Sequence, residues 1–588
     1  MNIKMIMNMK NIMKLFLGLS FVLYLGSCTK DYLDINKSPN SPTTPELNQL
    51  LSGSQYYMVQ ALSQGNFIGT GLSSYVHHLV SREVQNYGMT PGANNTFNTW
   101  NYLYTYVLTN YDAIIKNAEP EGNLIYAGIA KTLKAYTFSV MVDLWGDIPY
   151  LEFNVPGLNA PKPDNSKDIY NILISLLEEG LENLNDAEAE NSLKPGKDDF
   201  FYSGDKSAWI RLNNTIKLKL LLQSRNAKSD ISEWQSMLNA LLSEDAFIKA
   251  NEDFQFWFNN VTNPSNERHP AYESYSGQHT YFISPYFYET MMGQTYNTID
   301  NPFAGIEDPR IPYYFYNQKY GGHGNSPSES PHEYRNGDFI SIFFATTGPN
   351  SGGSNDNSYT KFAIYPMGGK FDASYLYDPE EDEGGENEPD PDQRVSTKDG
   401  TAGTGIAPHK MITFSSLKFM LAELALSGET SADAKTLLQE AIIAAFDHVN
   451  SVVEKNGSAN PAPKISNEDR DAYIEAVLTK YNSSNAEGKM RIIMTQKWIH
   501  NFMNPVDVYT DYRRTGYPLF FDASKTQDPG FGVNPTVTER SDARVPLSNF
   551  ATFPRSLYYP TNSETELNPN ITQKANLSIP FVFWDKYK

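Results

Sequence analysis

Apolar residues recur at helical spacing in eight runs, and short breaks gather the runs into four pairs. Leu103, Val107, Leu108, Tyr111, Ile114 and Ile115 form the first run. Ile129, Ala130, Leu133, Thr137, Val140, Met141 and Leu144 form the second. Pro120 and Gly122 part them, and neither residue type suits a helix interior. The pattern returns at 169–184 with 207–225, at 414–426 with 432–449, and at 471–481 with 486–502. Each run puts one apolar stripe on a helix, and that stripe must be covered by another element. Stacked pairs cover one another, so the spacing predicts a mainly α chain: an α-solenoid of four degenerate tetratricopeptide-like helix pairs. No strict repeat period shows. Further helices are expected at Pro45–Leu62 and Phe67–Tyr87.

The pairs occupy about 97–230 and about 410–505. Between them, at about 231–409, lies a large irregular insertion rich in Gly, Pro, Asn and Tyr, with strand-like pieces such as Phe339–Phe344. Within it, nine of the fifteen residues from Asp378 to Asp392 are acidic. A calcium loop of the EF-hand kind alternates its ligands around a glycine and ends in a glutamate. This run lacks that spacing and reads as a solvated loop rather than a calcium site.

Composition removes some partners. The formal charge is -21, whereas phosphate binding needs a basic surface, so nucleic acid is excluded as a ligand. Aromatic residues make up 13% of the chain, with 38 tyrosines, a supply suited both to helix packing and to contact surfaces.

The N-terminus reads as an address and an anchor. Lys4, Lys10 and Lys14 precede an apolar stretch, Leu15–Leu25, too short to span a bilayer but right for a signal peptide. Ordinary cleavage before Cys28 would place Leu25 where a small residue is needed. Leu25-Gly26-Ser27-Cys28 instead resembles the bacterial lipobox. It implies a diacylglyceryl thioether on Cys28, cleavage before it, and an acyl chain on the new amine. Several acyl chains hold a protein firmly to a bilayer. Cys28 is the only cysteine, so it has no disulfide partner within the chain. Lys30, Asp31 and Asp34 resemble the export signal of surface lipoproteins. The expected organisation is a signal peptide at 1–27, a lipidated tether at 28–45 and a single domain at 46–588.

A set of motifs follows in order. DLWGDIPY stands at 143–150, WIRLNN at 209–214, IMTQKWI at 493–499, DYRRTGYP at 511–518 and FPRSLYYP at 553–560, with Asn568 beyond. Together they resemble the SusD/RagB family of outer-membrane nutrient-binding lipoproteins, in its subgroup with QKW and RRTGYP signatures. Where that family often carries Glu-Ala-Trp before RRTGYP, this chain has Asp507-Val508-Tyr509. The resemblance implies a lid on a TonB-dependent transporter of the SusC type. Such a lid captures oligosaccharides, or peptides in some members. It implies no cofactor, and attachment to the outer membrane facing outward.

Physically, Gly146 and Pro149 suit a helix end, and Asp143 and Asp147 suit capping. Arg513 and Arg514 suit pairing with carboxylates of neighbouring helices, and Trp498 falls on a buried stripe. Two stretches offer aromatic planes beside amides and a guanidinium on loop-like sequence. The first supplies Gln85, Asn86, Tyr87, Asn94, Asn95 and Trp100, and the second Trp257, Arg268, Tyr272, Tyr275 and Tyr281. His77 and His78 are adjacent, so they point apart and make a poor metal pair. No nucleophile elbow, phosphate loop or zincin motif occurs. A glycoside hydrolase with paired carboxylates and a structural adhesin are the weaker readings. Cys28→Ala is expected to leave an unprocessed precursor that takes no palmitate label; normal maturation with labelling would refute the lipobox reading.

Overall fold

The computed structural model describes residues 45–65, 67–81, 87, 96–271, 281–295, 301–316, 333–336, 339–342, 360–362, 404–457, 462–519 and 553–586. The chain divides into a short unit, 1–49, and a main unit, 50–588. Cys28 and the acidic run 378–392 lie outside the described residues.

Two helices open the chain, α1 (Leu47–Leu62) and α2 (Phe67–Tyr75). The second was expected to reach Tyr87 but stops at Tyr75. His77 takes a positive φ of 56°, a conformation that ends a helix, and the backbone turns into strand β1 (Leu79–Ser81).

All four expected pairs form. The first helix, α3, spans 97–118 in three stretches: an α-helix Phe97–Asn101, a π-helix Tyr102–Leu108 and an α-helix Thr109–Ala118. It packs on α4 (Leu124–Trp145), and α5 (Ser166–Asn185) packs on α6 (Lys206–Gln223). The start of α5 is capped by Asn165, whose side chain accepts from Lys167 N–H, and that of α6 by Asp205, which accepts from Ser207 and Ala208. Successive pairs meet closely where α4 crosses α5. A Cβ on Gly128 would stand 2.6 Å from Leu184 Cγ and 2.8 Å from the Gly180 carbonyl oxygen, so the approach requires glycine.

The middle segment contributes α7 (Trp234–Glu244), α8 (Pro285–Met291) and α9 (Ile311–Tyr314). Its strands are β2 (Phe254–Trp257), β3 (Tyr281–Ile283), β4 (Phe315–Tyr316), β5 (Glu333–Asn336), β6 (Phe339–Ile342) and β7 (Lys361–Phe362). With β1 and β8 (Pro408–Ile412), they make four two-stranded antiparallel sheets among the described residues: β1–β3, β2–β8, β4–β7 and β5–β6.

The second group holds α10 (Phe414–Leu426) with α11 (Ala434–Lys455), and α12 (Asn467–Ser483) with α13 (Ala486–His500). Asp433, Ser466 and Asn485 cap three of these starts. The last helix, α14 (Pro505–Thr515), packs against α4 and α6 of the first group and α13 of the second.

A layer of buried charge surrounds α14. Lys219 of α6 meets Asp507 at 2.8 Å, and Lys497 of α13 meets Asp511 at 2.7 Å. Arg514 forks onto both oxygens of Glu423 on α10 and reaches Asp511 at 2.8 Å, while Arg225 adds a contact to Glu423 at 3.3 Å. Burial works against the Glu423 charge, but the Arg514 guanidinium holds its carboxyl below the ordinary value. The expected carboxylate pairing therefore forms for Arg514. Arg513 differs: it donates to the carbonyl oxygens of Asp143 and Arg555, and lies 4.4 Å from the Tyr509 ring centre and 4.7 Å from that of Trp584. Asp143 in turn accepts from the Tyr170 hydroxyl at 2.5 Å and from Trp584 Nε1–H at 2.9 Å, so it ties three elements together rather than capping its own helix. Asp147 does cap, accepting from the backbone N–H of Ser166 at the start of α5. Gly146 ends α4 with φ 82°, and a Cβ there would meet the Phe581 carbonyl oxygen at 2.5 Å. Trp498 is core, as expected, with Nε1–H donating to the Val76 carbonyl.

Glu423→Gln removes the carboxylate while leaving Arg514 and Arg225 buried. The expected cost is about 3–5 kcal/mol, read as a lower urea midpoint with an unchanged slope; a midpoint equal to wild type would show that the pair is energetically neutral.

Candidate functional site

The described candidates have different surroundings. Tyr87 is only 2% exposed, with its hydroxyl 2.5 Å from His77 Nε2 and its ring against Tyr75 and Phe553. Trp257, half-buried on β2, carries the Lys455 ammonium 4.3 Å from its ring centre. Arg268 donates from Nε to the Asn266 side chain at 2.9 Å, within its own turn. Tyr281 pairs with Ser81 in the β1–β3 ladder. Gln85, Asn86, Asn94, Asn95, Tyr272 and Tyr275 lie outside the described residues.

Trp100 is different, because it lines a cleft. Its ring is 3% exposed, edge-on to Trp145 at 5.2 Å and to Tyr559 at 6.0 Å, and its Nε1–H donates to Glu564 Oε1 at 2.8 Å. The cleft beside it has a volume of about 370 Å³. One wall is the face of α3 that carries Trp100, Asn101, Tyr104, Thr105 and Thr109. A second is the loop after α4, with Pro149, Phe153, Asn159 and Pro161. The third is the C-terminal segment, with Ser563, Glu564 and Asn568.

These walls are tied to one another. The Tyr104 hydroxyl donates to the Pro149 carbonyl at 2.8 Å, and Asn568 Nδ2 to the Pro161 carbonyl at 2.8 Å. Asn101 Oδ1 accepts from the Thr105 hydroxyl, and among the described residues its amide nitrogen makes no hydrogen bond. Burial raises the Glu564 carboxyl above its ordinary value, against the Trp100 N–H and the Ser563 hydroxyl, which favour the charge. Sequence reasoning picked Trp100 but missed Asn101, Tyr104 and Thr105, which follow it at helical spacing. It had no means of finding Glu564, 464 residues further along the chain.

A second cleft, also about 370 Å³, lies along α10 and α11 and includes Asp253, Lys418, Glu440, Asp447 and His448. Its groups satisfy one another. Lys418 meets Glu440 at 2.7 Å, Asp253 accepts from Phe414 N–H at 2.7 Å, and His448 Nε2 lies 2.8 Å from Gln255 Oε1. Among the described residues no cluster of three His, Cys, Asp or Glu could hold a metal, and no helix is long and apolar enough to cross a membrane.

Most residues of the family motifs are structural, although Pro149 and Asn568 also line the cleft. Trp209 donates to Asp199 at 2.7 Å, Asn213 reaches Thr132 and the Leu177 carbonyl, and Arg211 pairs with Glu252. The family model described as "Starch-binding associating with outer membrane" matches residues 39–337 and 353–535. The chain belongs to the SusD-like family. Solved structures share its fold. A SusD homologue from Bacteroides fragilis NCTC 9343 is 16% identical, with a TM-score of 0.61 over 92% of this chain and 100% of its own. A chitin-binding SusD homologue from Flavobacterium johnsoniae is 17% identical, with a TM-score of 0.55 over 92% and 97%. A SusD/RagB family protein from Bacteroides thetaiotaomicron VPI-5482 is 20% identical, with a TM-score of 0.60 over 92% and 100%. No curated protein matches the sequence.

This SusD-like chain buries six of its nine histidines among the described residues. Burial lowers His77, His78 and His269 to about 3 and His409 to about 4, and drives His448 and His500 well below the ordinary value. Below about pH 6.5 the unfolded chain takes up protons that the folded chain refuses, so stability falls with pH down to about 3–4. At pH 5 each such imidazole costs about 2 kcal/mol. Burial raises Asp143 and Asp253 to about 6, which acts in the opposite sense below that pH. That gain is about 1.4 kcal/mol each at pH 5, and six imidazoles outweigh it. The thermal midpoint is therefore expected to fall between pH 7 and pH 5; a rise over that interval would contradict neutral burial of these rings.

Proposed function

We propose that this SusD-like chain captures oligosaccharides at the cell surface and passes them to a TonB-dependent, SusC-like transporter of the outer membrane. The observation that carries the reading is the composition of the Trp100 cleft. It sets the part-exposed rings of Tyr104 and Phe153, backed by the buried Trp100 and Asn568, beside the amides of Asn101 and Asn159 and the hydroxyls of Thr105, Thr109 and Ser563. Its one carboxylate, Glu564, is engaged by Trp100. A sugar presents C–H faces to aromatic surfaces and hydroxyls to amides, and needs no formal charge from its site. The volume falls in the range usual for small-molecule sites.

The family description names starch, and two structural neighbours are named for chitin; both support a carbohydrate ligand. The lipobox at Cys28 supports a lipid anchor, and Lys30, Asp31 and Asp34 support an outward address. Covalent chemistry has no place in the reading, and a peptide-binding lid of the same type is its nearest rival.

Calorimetric titration of the chain from residue 28 onward, against starch and chitin oligosaccharides and against peptides, tests the proposal. Binding of a sugar without turnover is expected, and Asn101→Ala with Asn159→Ala should weaken it about tenfold through lost hydrogen bonds. Release of shorter sugars would sink the capture reading, and binding of peptides alone would replace the ligand.

A further inference from the structure

Four tyrosines meet where α1 faces the π-helical stretch of α3. Tyr57 of α1 stacks on Tyr106, with ring centres 4.6 Å apart and planes 19° apart. Tyr56 lies edge-on to Tyr57 at 5.7 Å, and Tyr102 touches both Tyr57 at 5.7 Å and Tyr106 at 6.0 Å. The rings therefore hold one another in place. They are not core: Tyr56 is 44% exposed and Tyr106 is 39% exposed.

Their hydroxyls differ from those of several buried tyrosines of this fold. Tyr104, Tyr170, Tyr509 and Tyr559 each donate to a protein oxygen. Among the described residues none of the four clustered hydroxyls makes a hydrogen bond. Packing alone leaves this arrangement unexplained, since exposed rings forgo much of the gain of burial. The helix beneath is unusual too, because π-helical turns are rare and are frequently found at functional sites.

The surroundings narrow the chemistry of a ligand. Among the described residues no Lys or Arg stacks on these four rings, and burial raises the Tyr56 hydroxyl above its ordinary value, with Tyr57, Glu267 and Tyr102 acting in the same sense. No stacked cation among the described residues offers an anionic ligand a partner. Rigid ring faces edged by free hydroxyls suit a neutral molecule with C–H faces and hydroxyls of its own. The position agrees with the sugar cleft: Tyr102 stands three residues before Thr105, and Tyr106 three before Thr109, so the tyrosine face borders the helix face that lines it.

We propose that Tyr56, Tyr57, Tyr102 and Tyr106 form a second sugar-stacking surface, which takes the distal units of a long neutral oligosaccharide whose other end sits in the Trp100 cleft. This rests on the reading of the cleft as a sugar site. It makes chain length a determinant of affinity, because only a longer chain reaches both surfaces.

The test uses the chain from residue 28 onward with short and long starch and chitin oligosaccharides. Tyr56→Ala combined with Tyr106→Ala should weaken binding of the long sugars roughly tenfold or more and leave the short ones unchanged. Tyr56→Phe with Tyr106→Phe keeps the rings and should retain most of that affinity; if the alanine pair lowers the thermal midpoint, Tyr56→Ala alone, at an exposed ring, should still weaken the long sugars several-fold and leave the short ones unchanged. A folded alanine variant that binds the long sugars as tightly as wild type would overturn the proposal while leaving the cleft reading intact. So would unchanged sugar binding with lost association to a β-barrel protein, which would make the surface a protein contact. A wild-type chain that binds no sugar would overturn both readings.

Discussion

The pairing of Arg514 with Glu423 is the constraint on which the two helical groups depend. Both side chains are fully buried, and an ion taken out of water loses several kcal/mol of hydration that only close pairing restores. Neither group can therefore shift relative to α14 without leaving a bare charge in the interior. Lys219 with Asp507 and Lys497 with Asp511 repeat the condition toward α6 and α13. Apolar stripes alone would let packed helices slide by a turn at modest cost, whereas this alternation of charge admits one register.

The same helix places the candidate site. Arg513, next to Arg514, binds the Asp143 carbonyl at the end of α4 and the Arg555 carbonyl in the C-terminal segment. Leu557 N–H then donates to the Leu144 carbonyl, and Trp145 Nε1–H to the Tyr558 carbonyl. Held along α4 in this way, the C-terminal segment delivers Glu564 to Trp100 and Asn568 to the loop after α4. The cleft is thus a product of the buried charge layer, assembled from three segments that are remote in sequence.

Much of the scaffold was legible. The eight helices of the four pairs showed through their spacing, because an apolar stripe is a local pattern, and the buried role of Trp498 followed from the same stripe. The early end of α2 did not show. The apolar pattern runs on through Val76, and only the left-handed backbone at His77, with β1 pairing onto β3, turns the chain aside. The site was legible in one residue, Trp100, while Tyr87 from the same stretch is spent on His77, Tyr75 and Phe553. Loop-like composition marks where polar and aromatic side chains are plentiful. It carries no information on which of them the fold uses up internally.

By itself the sequence determined the helices, their pairing, their caps and the motifs that mark the family, since each depends on residues close together along the chain. Tertiary structure alone decided that Trp100 meets Glu564, that Arg513 grips carbonyls rather than carboxylates, and that Tyr56 and Tyr57 come to lie against Tyr102 and Tyr106. Those meetings are set by how whole helices pack, and side chains that share a surface need share no spacing in the sequence.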